Sequence, residues 1–511
     1  MIAPSDRSNR TDDAAHGRDR SGASATGDPT TPAFDVAGLI RRRQGDNHRL
    51  HREHVNPVFE KVLRTIGFDR VYARASGAHL WDAEGRQYLD FLGGYAVVNV
   101  GRNNPVVRRA LADFLAMDYP TMVQFEAPLL SGLLAEELVR RTPNGLEHVF
   151  FTNSGTEGIE AAMKFARCAT GRPGVVGCVR GFHGLSIGSL SINGDSSFRE
   201  GFEPLLPHCA NIPFDDLPAL ERALARRDVA AFVVEPIQGK GVNLPSPGYL
   251  AEAARLCRRH GTLFVADEVQ TGVGRTGTYL AIEQEGDVDP DMIVMSKALS
   301  GGYVPVGAVI VRRAVWQRVF SSMDRAIVHS STFHQGSLAM VAGLASLHVH
   351  DHLRLGERAV RLGGLLREGI ERMAPRYEFL KCVRQRGLMI GIELGAPTSL
   401  RYRAAWSAVN AMNKDLFAQA VVIPLMQDHR IITQVAGHHL PVVKLIPPLV
   451  IDESDVRWFL GAFESVMDKL HRFPGPLWDL LWTLGRNAMR GDREGAAMNG
   501  TVLLPASVPA G

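Results

Sequence analysis

The chain has 511 residues, 45% of them hydrophobic, with 57 Lys and Arg against 54 Asp and Glu for a net charge of +3. This is ordinary globular composition, without the clustered basic face of a nucleic-acid binder, and no apolar run reaches the ~18 residues of a membrane span. The N-terminus, MIAPSDRSNRTDDAAHGRDR, lacks the apolar stretch of a signal peptide, and its four Asp in twenty positions do not suit a transit peptide. The five cysteines (Cys168, Cys178, Cys209, Cys257 and Cys382) are odd in number and form no C-x-x-C pair. That disfavours a disulfide framework or a zinc site, so no metal is expected and a reducing cytoplasm fits best.

Residues 1–34 are small and polar and read as a disordered extension. Residues 35–95 read as the N-terminal part of a small domain, with WDAEGRQYLDF (81–91) as a hairpin. Residues 96–340 read as a large domain of α/β pattern. Short β-rich apolar runs end in polar turns there: HVFFTNSG (148–155), VAAFVVEPIQG (229–239), TLFVADEVQTG (262–272) and DMIVMSKALSGG (291–302). Helical stretches at 157–168 and 249–260 lie between them. Such continuous apolar strands suit a mostly parallel sheet sandwiched by helices, with ligands bound beyond the carboxyl ends of the strands. Asn153, Glu235, Asp267 and Lys297 stand at or just after those ends. Residues 341–470 turn helical, with short strands around 386–394 and 442–446, and read as the C-terminal part of the small domain. In the tail, 471–511, the apolar residues Leu477, Trp478, Leu481, Trp482 and Leu484 fall at helical spacing. They are expected on a helix packed on the body or on a partner subunit. A roof over an apolar substrate channel, or a helix resting on a membrane, is the sharper alternative. Beyond about 492 the chain reads as flexible.

Lys297 is the first chemical signal. A lysine there more often snorkels to the surface, but a buried one is costly unless used, and desolvation frees its amine as a nucleophile for a Schiff base. Asp267 ends the run LFVA, where an unpaired carboxylate is expensive to bury. Together they make the pair that pyridoxal 5'-phosphate needs, a Schiff-base lysine and an acid for the ring nitrogen. Ser154-Gly155-Thr156 opens a helix, a place that binds phosphate well, although ordinary capping gives the same pattern. In GFHG (181–184), Phe182 offers a ring to stack on a flat cofactor or simply to pack.

These signals combine in a resemblance. NSGTEGIEAAMKFAR (153–167), GFHG (181–184), VVEPIQG (233–239), ADEVQTGVGRTG (266–277) and SKALSGGYVPVGA (296–308) resemble class III pyridoxal-phosphate-dependent aminotransferases. That group includes ornithine, acetylornithine, putrescine and other ω-amine transaminases, and the likeness runs from about 70 to 465. It implies fold type I, with a large domain, a smaller α+β domain from both chain ends, and a homodimer with shared active sites. It implies Lys297 as the Schiff-base lysine, Asp267 as the ring-nitrogen partner, and Phe182 and Val269 on the two ring faces. Gln270 matches the residue near the ring hydroxyl, and Gly155 and Thr156 match the phosphate cup. Thr332, in HSSTFHQGS, matches a threonine that reaches the neighbouring subunit's phosphate. Tyr95 matches an aromatic at the substrate entrance. The implied reaction is a ping-pong transfer in which Lys297, freed by an incoming amine, moves the proton at the amine-bearing carbon.

Three departures stand out. Where many members carry an arginine that grips an α-carboxylate, this chain has Lys444, in VVKLIPPLV, which cannot form the same two-pronged pair. Where relatives of the ornithine and putrescine type carry a glutamate after PIQG, this chain has Lys240. The two lysines are expected either to form an altered anion site or to face water. Third, TFHQGSL replaces a THFGGNP-like loop, bringing His334, Gln335 and Ser337, with His334 read as packed or solvated and not catalytic. The expected substrate is an amine, aldehyde or ketone of specialised metabolism, with a diamine or ω-amino acid left open. An aminomutase, racemase or decarboxylase on the same scaffold, or a non-catalytic pyridoxal-phosphate-binding protein, are the alternatives.

Overall fold

The structure, a computed structural model, describes residues 33–481 apart from 124, 413–415, 473, 476, 477, 479 and 480. The expected loose extension therefore lies outside the described residues except for 33 and 34, as does the end of the tail. In chain order the strands are β1 (Tyr72–Ser76), β2 (His79–Asp82), β3 (Gln87–Asp90), β4 (Leu146–Thr152), β5 (Gly174–Cys178), β6 (Cys209–Ile212), β7 (Val229–Val234) and β8 (Leu263–Asp267). They continue as β9 (Met292–Met295), β10 (Gly307–Arg312), β11 (Leu380–Arg386), β12 (Met389–Leu394), β13 (Ile431–Ile432), β14 (Gln434–Val435) and β15 (Val442–Leu445).

Seven of them form the central sheet, in the order β4-β10-β9-β8-β7-β5-β6. β10 is antiparallel to both its neighbours, and the other pairings are parallel. The unbroken apolar runs follow from burial on both faces. Alternate side chains serve opposite cores: Phe232, Phe264 and Ile293 pack on one side, and Val233, Val265 and Val294 on the other. Each such side chain contributes about 1.5–3 kcal/mol on burial. Helices Gly155–Thr170 and Tyr249–His260 lie between strands much as their periodicity indicates, each ending at a left-handed glycine, Gly171 and Gly261.

Two four-stranded sheets flank this layer. In one, the hairpin β2–β3 pairs in parallel with β13 through Leu89 and Ile431, so segments far apart in the chain meet. The other, β11-β12-β15-β14, is antiparallel. The expected strand around 386–394 is present as β12, and it pairs with a preceding strand not read from the sequence, β11, in a hairpin turning at Gly387. Only glycine suits that turn: φ is +53°, and an added Cβ would sit 2.5 Å from Arg275 O. Three short helices, Val36–Arg43, Asn47–His54 and Pro57–Thr65, precede β1. Asp35 caps the first through Gly38 N and Asn56 the third through Phe59 N; these helices were not identified from the sequence, since their largely exposed faces carry no core periodicity.

The sheets are tied together by Arg275, which is fully buried. Its Nη1 donates to Leu388 O at 3.0 Å and Pro447 O at 2.6 Å, and its Nη2 to Asn99 Oδ1 at 2.5 Å. Desolvation pushes this guanidinium down to about 9. In the tail, Trp478 and Leu481 are buried in the core that holds Phe379 and Phe417. Trp478 Nε1 donates to Leu470 O at 3.0 Å. These two residues pack on the body, and neither lines the cavity described below, which corrects the channel-roof and membrane readings for them. Leu477, Trp482 and Leu484 lie outside the described residues. Among the described residues no helix is long and apolar enough to cross a membrane.

Candidate active site

A cavity of about 1100 Å³ opens beyond the carboxyl ends of β7, β8 and β9, with walls from the flanking loops. Lys297 lies two residues past β9 and begins the short turn Lys297–Ser300. Its φ of +43° is a left-handed conformation costly for a side-chain-bearing residue. Burial pushes its amine below the usual lysine value, against the opposing pull of Asp267 and Glu235. Asp267 closes β8. Its Oδ2 accepts from His183 Nδ1 at 2.7 Å and its Oδ1 from Val269 N at 3.1 Å. Burial opposes a charge on His183, but the Asp267 hydrogen bond and the charges of Asp267 and Glu235 outweigh it, so its imidazole sits above the ordinary value. Glu235, just after β7, accepts from Phe182 N at 2.9 Å and Gly239 N at 2.8 Å, binding the GFHG and PIQG loops together.

Ser154 caps the helix Gly155–Thr170, accepting from Glu157 N. Thr156 Oγ1 meets the hydroxyls of Ser186 and Ser189 at 2.6 and 2.7 Å. An added Cβ at Gly155 would lie 2.9 Å from Val269 Cγ1, so the helix start and the Val269 loop approach closely because the residue is glycine. Gln270 Nε2 donates to Tyr95 O at 3.3 Å, and Gln270 Oε1 accepts from Lys444 Nζ at 2.5 Å.

Ser154, Gly155, Thr156, Phe182, Asp267, Val269, Gln270, Lys297, Tyr95, Lys240 and Lys444 all line this one cavity. Thr332 does not: it is exposed in its own chain, although Ser331 beside it accepts from Asn153 Nδ2 at 3.0 Å. The notion that both lysines simply face water is overturned. Lys444 is 3% exposed and Lys240 is paired with Asp195 at 2.5 Å. His334 packs against the Phe150 ring, centroids 5.5 Å apart. Glu235 was noted from the sequence only for its place at a strand end, without a role, and His183 and Asp195 were not singled out. His183 and Glu235 sit inside the quoted motifs, whereas Asp195 carries no local signal.

The lining fits the expected pyridoxal phosphate. A buried amine, an oriented carboxylate, a capped helix start and two apolar ring faces converge on one space.

The chain belongs to the class-III aminotransferase family, whose model matches residues 64–467. It is 36% identical over 479 residues to the aminotransferase PigE of Serratia sp., a match covering 87% of this chain and 56% of that protein. The chain thus spans little more than half the length of that curated relative. Among solved structures it is similar to the ornithine aminotransferase of Toxoplasma gondii, at 28% identity and a TM-score of 0.72 over 85% of this chain and 98% of that one; pyridoxal phosphate partly occupies that enzyme's active site. It is also similar to the acetylornithine aminotransferase of Elizabethkingia anophelis, at 29% identity and a TM-score of 0.62, covering 80% and 98% of the two chains.

Proposed function

We propose that the protein is a pyridoxal-phosphate-dependent transaminase, moving an amino group from an amine or amino-acid donor to a keto or aldehyde acceptor. The observation that carries this is the buried amine of Lys297 sharing one cavity with the His183-bound Asp267 and the start of helix Gly155–Thr170. Lys297 would hold the cofactor's carbonyl carbon and Asp267 its ring nitrogen. Ser154, Gly155 and Thr156 would hold the phosphate, Phe182 and Val269 the ring faces, and Gln270 the ring hydroxyl. When bound, the cofactor supplies a sink for the electron pair released at the substrate's amine-bearing carbon. Lys297 Nζ, its proton affinity lowered by burial, takes the proton from that carbon and later returns one. His183 orients the Asp267 carboxylate. Donor and acceptor use the same cavity in turn, which makes the cycle ping-pong.

The chain divides in this reading into a large cofactor-holding domain, 96–340, and a small domain from 35–95 and 341–470. A homodimer with shared sites is supported by Thr332, exposed and outside its own chain's cavity. Exposed apolar side chains nearby, among them Val123, Phe125, Ile327 and Phe333, support it too; the two segments meet where Ser131 Oγ donates to Gln335 Oε1 at 3.1 Å. Five free cysteines support a cytoplasmic setting. The apolar wall residues Val97, Leu185, Val304, Pro305 and Val435 favour an apolar amine, aldehyde or ketone of specialised metabolism as one substrate.

The test is the absorbance of the holoprotein while glutamate, alanine, ornithine, putrescine, β-alanine and a long-chain alkylamine are added singly. The visible band of the bound cofactor should bleach with at least one donor and return when a carbonyl acceptor follows. Absence of any band after pyridoxal phosphate is supplied refutes the reading.

A further inference from the structure

Two side chains on the cavity wall are polar, neutral and unattached. Gln434, in β14, and Gln419, in the helix Leu416–Gln427, both line the cavity and are half-buried. Among the described residues no hydrogen bond reaches either amide. Gln419 is the odd residue of its helix: every other residue from Leu416 to Met426 is apolar and buried. A leucine there would pack as its neighbours do. An amide at the edge of an apolar space instead brings two donors and an acceptor that need partners.

Gln434 stands beside Lys444. The two residues pair across β14 and β15, so their side chains share one face of the sheet with Cβ atoms about 5 Å apart. Lys444 Nζ donates to Gly239 O at 2.6 Å and to Gln270 Oε1 at 2.5 Å, and Gln270 is the residue placed at the cofactor's ring hydroxyl. The Gln434 amide is thus a neighbour of the reacting end of the cavity. The helix that carries Gln419 packs on β14 and β15, which sets the second amide on the same wall. Charge here is already committed. Both acceptors of Lys444 are neutral, and burial pushes its amine down to about 7. Lys240 pairs with Asp195 at 2.5 Å.

Resting on the transaminase reading, we propose that Gln419 and Gln434 form a subsite for a neutral oxygen, and that one substrate is an apolar amine or carbonyl compound that also carries a hydroxyl or a second carbonyl group. The amide N–H groups donate to a carbonyl, and the amide oxygens accept from a hydroxyl. A carboxylate or an ammonium placed there exchanges water for neutral partners and a lysine already bonded, at the cost of desolvating an ion. A wholly apolar tail strips water from two amides and leaves them unpaired. The neutral oxygen avoids both penalties, so the wall discriminates against charged ends and against plain hydrocarbon alike.

The experiment uses the holoprotein and the variants Gln434→Met, Gln419→Met and the two combined. Methionine keeps the length of glutamine and removes its amide. Single-turnover bleaching is followed with a series of ω-amino alcohols of increasing length, each against the alkylamine in which a methyl replaces the hydroxyl. In the wild type the alcohol-to-alkyl ratio of kcat/KM should peak at one chain length. At that length each single variant should lower the ratio roughly tenfold, the loss of one hydrogen bond in an apolar site, and the double variant should abolish the peak. A visible cofactor band of wild-type strength in each variant shows that the cavity is intact. A ratio unchanged in both single variants overturns the proposal. So does a wild type that prefers an ω-amino acid to the amino alcohol of the same length. A wild type that no amine bleaches refutes the transaminase reading instead. Saturation-transfer NMR with 1,5-pentanediol and 1-hexanol, unreactive and equal in length, then decides the subsite: the diol-to-hexanol binding ratio should fall in the same variants, and an unchanged ratio overturns it.

Discussion

Replacing Lys444 with Met should change how stability depends on pH. Desolvation, reinforced by the charges of Lys297 and Arg275 and opposed by Glu235, pushes the Lys444 amine from 10.5 down to about 7. Below pH 7 the amine is charged in both the folded and unfolded chain, so its penalty is constant. Between about 7 and 10.5 the unfolded chain holds a proton that the folded one lacks, and stability rises with pH by about 1.4 kcal/mol per unit. Above that window both forms are neutral and the gain stops. The full gain is of order 5 kcal/mol, and the Lys444→Met variant lacks it. The substitution also leaves Gly239 O and Gln270 Oε1 without this donor, a loss of about 1–3 kcal/mol that does not vary with pH and leaves the slope untouched. Urea unfolding of both cofactor-stripped proteins reads the difference. The stability of the wild type relative to the Lys444→Met variant should grow by about 2–3 kcal/mol from pH 7.5 to 9.5. Parallel pH profiles would refute a Lys444 that is neutral at mildly alkaline pH in the folded state.

Lys297→Met should abolish the visible cofactor band and turnover together, while far-ultraviolet circular dichroism stays that of the wild type. His183→Phe removes the 2.7 Å bond to Asp267. It should lower the single-turnover rate about 10- to 100-fold, the range expected for a bond to a charged group; a rate within twofold of wild type would show that His183 does not orient the carboxylate. Trp478→Ala empties a site 1% exposed between Phe379 and Phe417. It should cost about 3–5 kcal/mol in a denaturant titration, and a loss under 1 kcal/mol would show that the tail is not part of the core.

The central layer could be read from the sequence because its inner strands β7, β8 and β9 are buried on both faces, and β4 at its end, so that these four appear as apolar runs ending in polar turns. β5 and β6 were not recognised: GVVGC and CANI are short, and small or polar residues dilute them. β10, the antiparallel strand, follows the Lys297 motif and reads as part of it. Lys297 and Asp267 were legible because a charge at the mouth of an apolar strand needs a reason. His183 and Glu235 were less so, since their roles come from partners 84 and 53 positions away. Lys240 and Lys444 drew notice as departures from the family pattern, but only the fold shows that one joins neutral groups and the other an acid. Asp195 stands in an ordinary polar turn, and nothing in its neighbours in the chain signals that Lys240 lies opposite.

Arg275 joins the loop after β8, the turn between β11 and β12, the stretch before Leu449 and the Asn99 segment through three acceptors. A hinge between the central layer and the small antiparallel sheet would have to strip a buried guanidinium of those acceptors at once, and each lost partner of a charged donor costs about 1.5–3 kcal/mol. The wall carrying Lys444 is thus clamped to the floor carrying Asp267. Any movement of that wall away from the floor would have to break these bonds, whereas side chains at the cavity rim can turn without touching them.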